Sequence, residues 1–256
     1  VVVVPFLHDD PDVSGVRTAT QADVTVWSDW LAPHRGIAPH FEQLPFDHPW
    51  YILFSSGTTG VPKCIVHRAG GVLLQHAKEQ QLHLDIRPGD RAMYFTTCGW
   101  MMWNWLASVP ASGASIVLYE GNPAHPDVSR LWELVASEGM QFFGVGAKYV
   151  DSVRLAGFAP STVDLSSLRT LASTGSPLSP ESFEWVMSEV APACSADGLH
   201  LASISGGTDL CGCFVGGDPT RPVWAGELQG PALGMAVDVW TEDGSPAEVG
   251  ERGELV

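Results

Sequence analysis

The stretch Ser55–Lys63, SSGTTGVPK, gathers four hydroxyl side chains, two glycines and one lysine. A polyphosphate asks for close backbone approach, uncommitted N–H donors and a positive charge. Gly57 and Gly60 lack a Cβ and tolerate positive φ, so they meet the first two demands. Ser55, Ser56, Thr58 and Thr59 can donate further hydrogen bonds, and Lys63 carries the charge. The segment is not a GxxxxGK[ST] loop, because Val61 and Pro62 separate Gly60 from Lys63. Taken alone, such a cluster is more often a plain surface turn. The apolar run WYILF just before it and the fixed lysine at its end bring the anion-cradle reading level with the turn.

Four other places hold chemistry-bearing residues. Thr208-Asp209 follows Gly206-Gly207 and offers a hydroxyl and a carboxylate, or else an Asp-capped turn. Trp100–Trp105 (WMMWNW) reads either as a pocket wall of polarizable side chains or as ordinary core. Asn104 in that run can hydrogen-bond a keto or carboxylate oxygen. His67 closes an apolar run, where it serves structure or orients a site. Cys64, Cys98, Cys194, Cys211 and Cys213 are odd in number and scattered, and the single C-x-C at 211–213 lacks a second pair for zinc. Free thiols in a reducing, cytoplasmic compartment fit them. No Ser–His–Asp set is evident.

The elements that must position these groups alternate between strand and helix. Val1–Val4, Trp50–Phe54, Cys64–His67, Arg91–Phe95, Ser115–Tyr119, Phe142–Val145, Arg169–Ala172 and Leu199–Ile204 read as strands. Helices are predicted over 72–84, 128–138 and 148–155, the second closed by Gly139. Another begins at Ser179 as N-cap with Pro180 at its first position, placing Phe183, Val186, Met187 and Val190 on one face. Residues 5–49 read as irregular apart from a short helix at Trp27–Leu31. Alternation at Met235–Trp240 and a turn at Asp243-Gly244 point to a β-rich ending.

The 256 residues carry 13 basic and 29 acidic side chains, a formal charge of −16 that argues against a nucleic-acid or anionic-membrane partner. A hydrophobic content of 45 % with 10 Trp and 10 Phe is enough for a sizeable core. No apolar stretch is long enough for a membrane helix, and the opening VVVVPFL lacks the basic region and cleavage site of a signal peptide. That opening and the closing GERGELV read as internal to a longer polypeptide.

YILFSSGTTGVPK resembles the phosphate loop of the adenylate-forming superfamily, which includes acyl-CoA synthetases, luciferases and peptide-synthetase adenylation domains. STGSPLSPE (173–181) is similar to its adenine-contacting segment. SGGTDLCG (205–212) is similar to its Thr-Glu motif, with Asp209 where Glu is usual. GELQGPALGMAVDVW and GERGELV resemble the approach to its β-subdomain. The resemblance implies an α/β fold: parallel-sheet βαβ subdomains of the N-terminal domain, ending in the start of a β-rich subdomain, with the C-terminal lid domain absent. The expected division is 1–49 as an irregular N-terminal portion, 50–217 as the AMP-binding core and 218–256 as the start of the β-rich part.

The resemblance also implies ATP, Mg²⁺ and CoA. ATP would meet Ser55, Ser56, Gly57, Thr58, Thr59, Gly60 and Lys63 at its phosphates, and Gly175, Ser176 and Pro177 at its base. Gly206, Gly207 and Thr208 complete the nucleotide set. Lys63, Thr208 and Asp209 would serve the chemistry, with Asp209 on the metal. Within the superfamily, TTCGWMMWNWLAS (96–108), residues 66–90 and SISGGTDLCGCFVGG (203–217) are most similar to acetoacetyl-CoA synthetases. Trp100, Met101, Met102, Thr174 and Gly206 match an acyl pocket, with Gly206 standing where acetate-specific relatives have Trp. The implied reaction is attack of an acid on the α-phosphorus of ATP, then transfer of the acyl group to CoA. The ribose-binding aspartate, hinge and lid lysine are expected beyond Val256, so the segment alone is expected not to turn over. A ligase for another short acid and a degenerate nucleotide-binding module are the alternatives.

Overall fold

Apolar runs bounded by Gly, Pro and Asp fold as short strands, and the longer 3.6-period stretches between them fold as crossover helices. The computed structural model describes residues 1–6, 8–55 and 60–256. Two compact units divide the chain, Val1–Leu44 and Pro45–Val256. In the first, strand β1 (Val2–Val3) pairs in parallel with β2 (Thr25–Val26), with helix α1 (Ser14–Thr20) between them and α2 (Trp27–Leu31) after. The helix at Trp27–Leu31 lies where the sequence puts it. Helix α1 falls in the stretch expected to be irregular, where Asp12 accepts the Ser14 backbone N–H at 2.8 Å and so caps the first turn.

In the second unit, β3 (Pro49–Ser55) and β4 (Lys63–Arg68) form an antiparallel hairpin in which Ser55 and Lys63 are cross-strand partners. Helix α3 (Ala69–Lys78) follows and continues into a π-turn at Glu79–His83. Strands β5 (Arg91–Tyr94), β6 (Ser115–Ile116), β7 (Phe142–Gly146), β8 (Thr170–Thr174) and β9 (His200–Ser203) make a parallel sheet in the order β6-β5-β7-β8-β9. The crossovers carry α4 (Met101–Ala107), α5 (Arg130–Glu138), α6 (Ala147–Leu155) and α7 (Pro180–Trp185). Ser179 caps α7 by accepting the Ser182 backbone N–H at 3.3 Å, and Gly139 ends α5 at φ 57°.

Period-two alternation along the strands sorts the core. Met93, Phe143, Val145, Leu171 and Leu201 face α5, α6 and α7. Ala92, Tyr94, Phe142, Ala172 and Ala202 face α4 and the chain after α3. The second face is lined with small residues, and a Cβ on Gly144 would overlap the Tyr94 ring. Trp105 and Met102 of α4 fill the space so left. Ser115–Tyr119 shortens to a two-residue edge strand, with Leu118 59 % exposed. Met187, expected on the buried face, is 46 % exposed because Val186–Val190 winds as a π-turn and rotates it outward.

The segment 205–231 forms a separate antiparallel sheet of β10 (Ser205–Gly207), β11 (Gly212–Gly216) and β12 (Gly230–Pro231). Strands β13 (Val239–Trp240) and β14 (Glu254–Leu255) pair antiparallel. The turn at Asp243-Gly244 forms, with Gly244 at φ 81°, and closes on a Trp240–Pro246 bridge. Among the described residues, no helix is long and apolar enough to cross a membrane.

Candidate functional site

In a parallel α/β sheet the loops after the strands' carboxyl ends are free to build a cleft. A cavity of about 520 Å³ opens there, beyond β5, β8 and β9. Three separate stretches of sequence meet in its wall: Trp100, Met101 and Met102; Thr174, Gly175, Ser176 and Pro177; and Gly206, Gly207 and Thr208. Thr174 Oγ1 donates to the Ile204 carbonyl at 2.9 Å, tying the second stretch to the third. Gly175 sits at φ +87° with the Trp100 indole 3.2 Å from where a Cβ would stand, so a side chain there would strain the backbone and press on the indole. Trp100 itself is 39 % exposed and forms the rim, while Met102 is buried.

Histidines hold the third stretch in place. His67 Nε2 donates to the Thr208 carbonyl at 2.7 Å. His76 Nε2 donates to the Cys211 carbonyl at 2.7 Å, which leaves its Nδ1 to accept from Ser108 Oγ at 2.8 Å. His83 Nδ1 donates to the Gly217 carbonyl at 2.6 Å, and its Nε2 accepts the Leu233 N–H at 3.0 Å. Burial pushes His76 down to about 4, against the opposing pull of the Cys211 carbonyl, so it stays neutral. Of the two readings open for His67, the geometry unites both: a 9 % exposed structural bond that positions Thr208.

The same bond ties the β3–β4 hairpin to this corner. Lys63 begins β4 and His67 lies four residues on, about 13 Å along the strand. Ser55 and Lys63 flank the loop on paired strands, and Gly60 takes φ +81°. Ser56, Gly57, Thr58 and Thr59 lie outside the described residues. Ser55, Gly60 and Lys63 do not line the cavity, nor does Asp209, which is exposed and adjoins it through Thr208. Among the described residues no group of three or more His, Cys, Asp or Glu is placed to hold a metal. One exposed carboxylate suits a Mg²⁺ that arrives on a nucleotide's phosphates, with water completing its shell.

Gly206 meets a structural demand that the volume argument does not contain. A Cβ built on it would strike the Gly212 carbonyl and stand 2.8 Å from the Cys213 Cα, both backbone of the facing strand. Glycine here is demanded by the β10–β11 pairing.

Glu79 is the lining residue that sequence reasoning missed. The polar side chains Gln75, His76, Glu79, Gln80 and His83 recur at helical spacing, and that stripe reads as a solvated face. It is turned inward instead: His76, Glu79, Gln80 and His83 are buried, while Leu73, Leu74 and Leu82 are 41 %, 63 % and 58 % exposed. The Cys213 N–H donates to Glu79 Oε1 at 2.7 Å and the Trp105 indole to Oε2 at 3.0 Å. Among the described residues the five cysteines are free thiols, with Cys64 and Cys98 exposed.

A family model described as AMP-binding enzyme matches residues 3–256. Acetoacetyl-coenzyme A synthetase of Rhizobium meliloti is 54 % identical over 256 residues, covering 100 % of this chain and 38 % of that protein. A malonamoyl-CoA synthetase of Penicillium aethiopicum is 44 % identical over 232 residues, covering 84 % of this chain and 31 % of its own. Among solved structures, acetoacetyl-CoA synthetase from Streptomyces lividans superposes with a TM-score of 0.86 at 42 % identity, over 99 % of this chain and 37 % of that one. The chain thus spans about a third of the length of these relatives, 31–38 %. The motifs that meet in one cleft and the family match across nearly every residue lead to the same place: this chain belongs to the AMP-binding enzyme family.

Proposed function

We propose that the intact protein carrying this segment is an AMP-forming acid–CoA ligase whose acid is acetoacetate. The carboxylate of the acid attacks the α-phosphorus of ATP, releasing pyrophosphate and leaving an acyl-adenylate. The CoA thiol then displaces AMP. One observation carries the reading: three sequence-distant motifs line one cavity beside the hairpin that bears Lys63. Attack of one anion on another needs neutralised charge and fixed approach more than a protein nucleophile. Lys63 supplies positive charge at the phosphates, aided by the hydroxyls and glycines of 55–60. Thr208, held by His67, presents its hydroxyl at the α-phosphate, and Asp209 holds the Mg²⁺ that travels with ATP. Gly175, Ser176 and Pro177 form the ledge for the base.

The pocket floor beyond Trp100 and Met101 takes the acyl chain, with room at Gly206 for a group longer than acetyl. Acetoacetyl and malonamoyl groups, named in two of the relatives, share a carbonyl at their third carbon, which defines the substrate class. Five free thiols suit a reducing, cytoplasmic setting. The test is acid-dependent exchange of pyrophosphate into ATP by the intact protein over acetate, acetoacetate, butyrate and hexanoate. Acetoacetate is expected to dominate. A preference for acetate overturns the acid assignment, and absence of exchange with every acid overturns the ligase.

A further inference from the structure

The charged side chains around the cavity are all of one sign. Among the described residues that line it, Glu79 and Glu227 are acids, and no Lys, Arg or His joins them. Glu227 stands exposed at the entrance. Glu79 is 1 % exposed and lies on the floor with Met102, Trp105 and Cys213.

The geometry around Glu79 is that of a satisfied carboxylate. Oε1 accepts from Gln75 Nε2 at 2.5 Å and from the Cys213 N–H at 2.7 Å, and Oε2 accepts from Trp105 Nε1 at 3.0 Å. Every one of these partners donates, and none would accept an O–H. Burial raises the carboxyl, and the Cys213 N–H, Lys78 and Gln75 oppose that rise. The charge has no ion pair among the described residues. Lys78 is next in sequence, but its Nζ binds Gln75 Oε1 at 2.9 Å and the Leu233 carbonyl at 2.8 Å, and it does not line the cavity.

Three N–H donors hold an anion in place without cancelling its charge. Walls of Met102, Trp105 and Phe183 leave little water to screen it, so its field reaches into the cavity. A second negative charge within about 4–6 Å of such a group is strongly disfavoured. The reacting carboxylate of a substrate belongs at the Thr208 end, beside the hairpin that bears Lys63, and the far end of its chain points to the floor.

We propose that Glu79 is a specificity-determining residue that excludes acids carrying a second carboxylate, so that the cavity takes acyl chains whose far end is uncharged. The inference rests on the ligase reading above and narrows the substrate class of that same site. Acetoacetate, malonamate and malonate have nearly one shape, and they differ at the far end in a methyl, an amide and a negative oxygen. Shape alone treats the three alike. The floor carboxylate accepts the first two and rejects the third.

The test is pyrophosphate exchange by the intact protein with malonamate and with malonate, which is doubly ionised at neutral pH. The readout is the ratio of kcat/KM for the two acids, because general damage to the enzyme lowers both and leaves the ratio alone. Wild type is expected to favour malonamate by about tenfold or more. Glu79→Gln removes the charge at constant size and is expected to lower that ratio about tenfold, even as activity on both acids falls because one N–H donor loses its acceptor. Glu79→Asp keeps the charge and is expected to hold the ratio within about threefold of wild type, which a role in shape alone would not produce. A ratio unchanged in Glu79→Gln overturns the assignment and leaves the ligase reading standing. Should the variants fail to fold or to exchange, the wild-type protein decides through competition with acetoacetate. There malonamate is expected to inhibit at least about tenfold more tightly than malonate, and equal inhibition overturns the proposal. A wild-type protein that exchanges with no acid removes both readings.

Discussion

Replacing Gly206 by alanine is expected to damage the protein far more than the same change one residue later. A Cβ at 206 collides with the Gly212 carbonyl, lies 2.8 Å from the Cys213 Cα and 2.9 Å from the Gly212 carbonyl carbon. All three are backbone atoms of β11, so relief requires the strand to move by roughly an ångström, an overpacking cost of about 1–3 kcal/mol. That movement also stretches the Cys213 N–H bond to Glu79, now 2.7 Å, whose loss adds about 1 kcal/mol or more. At 207 the new Cβ meets the Asp209 Oδ2 at 3.3 Å and the Phe214 ring at 3.5 Å, side-chain ends that can turn aside. A loss of about 2–4 kcal/mol in Gly206→Ala corresponds to about 5–15 °C in the melting transition of this part of the protein. Gly207→Ala should stay within about 3 °C of wild type. The assay is thermal unfolding of the two variants in the intact protein, followed by pyrophosphate exchange. Equal melting temperatures would refute the account of the β10–β11 pairing and return Gly206 to a purely volumetric role in the acyl pocket.

Three further outcomes follow from the geometry. His76, neutral and held at about 4 against an ordinary value of 6.5, binds fewer protons folded than unfolded between those values, so stability is complete above 6.5 and falls as pH drops toward 4. Through this residue the protein should be about 2 kcal/mol less stable at about pH 5 than at about pH 7.5, and denaturant unfolding of His76→Gln should lose that part of the pH slope. Cys64 and Cys98 should react with a disulfide reagent in the native state, while Cys194, Cys211 and Cys213, buried and with the first two of these thiols pushed up to about 12, should react only after unfolding, as read by peptide mass spectrometry. Lys63→Ala should lower kcat/KM for ATP by about 10–100-fold, the worth of a charge-assisted contact to phosphate, and an unchanged ATP dependence in the exchange assay counts against its assigned role.

The sheet was legible because its strands are short apolar runs cut by turn residues, and the alternation that sorts Phe142 from Phe143 is a property of sequence alone. The start of α7 was equally plain, since Ser179-Pro180 states its cap and first turn. Two kinds of feature were hidden. Met187 and the run after Lys78 lie where the helix winds as a π-turn, so a 3.6-residue period assigns the wrong face. The inward side of α3 is polar, and a rule that places polar residues outside inverts it. Its signal existed in the five polar residues from Gln75 to His83 at helical spacing beside exposed leucines, but only the partners on β11 and α4 reveal the direction. Of the site, the three cavity-lining motifs were readable by type and order. Glu79 was not, because it belongs to that inverted face.

A helix attached to its domain by imidazoles, an amide and a carboxyl behaves as a bolted joint. Apolar surfaces can slide with little change in energy, whereas a bond from a ring nitrogen to a carbonyl at 2.7 Å weakens steeply once its length or angle departs from the optimum. A one-residue slip or small rotation of α3 would undo the attachments of Cys211, Cys213 and Gly217 together. This wall of the cleft is thereby clamped by several directional bonds at once, and its residues keep one register.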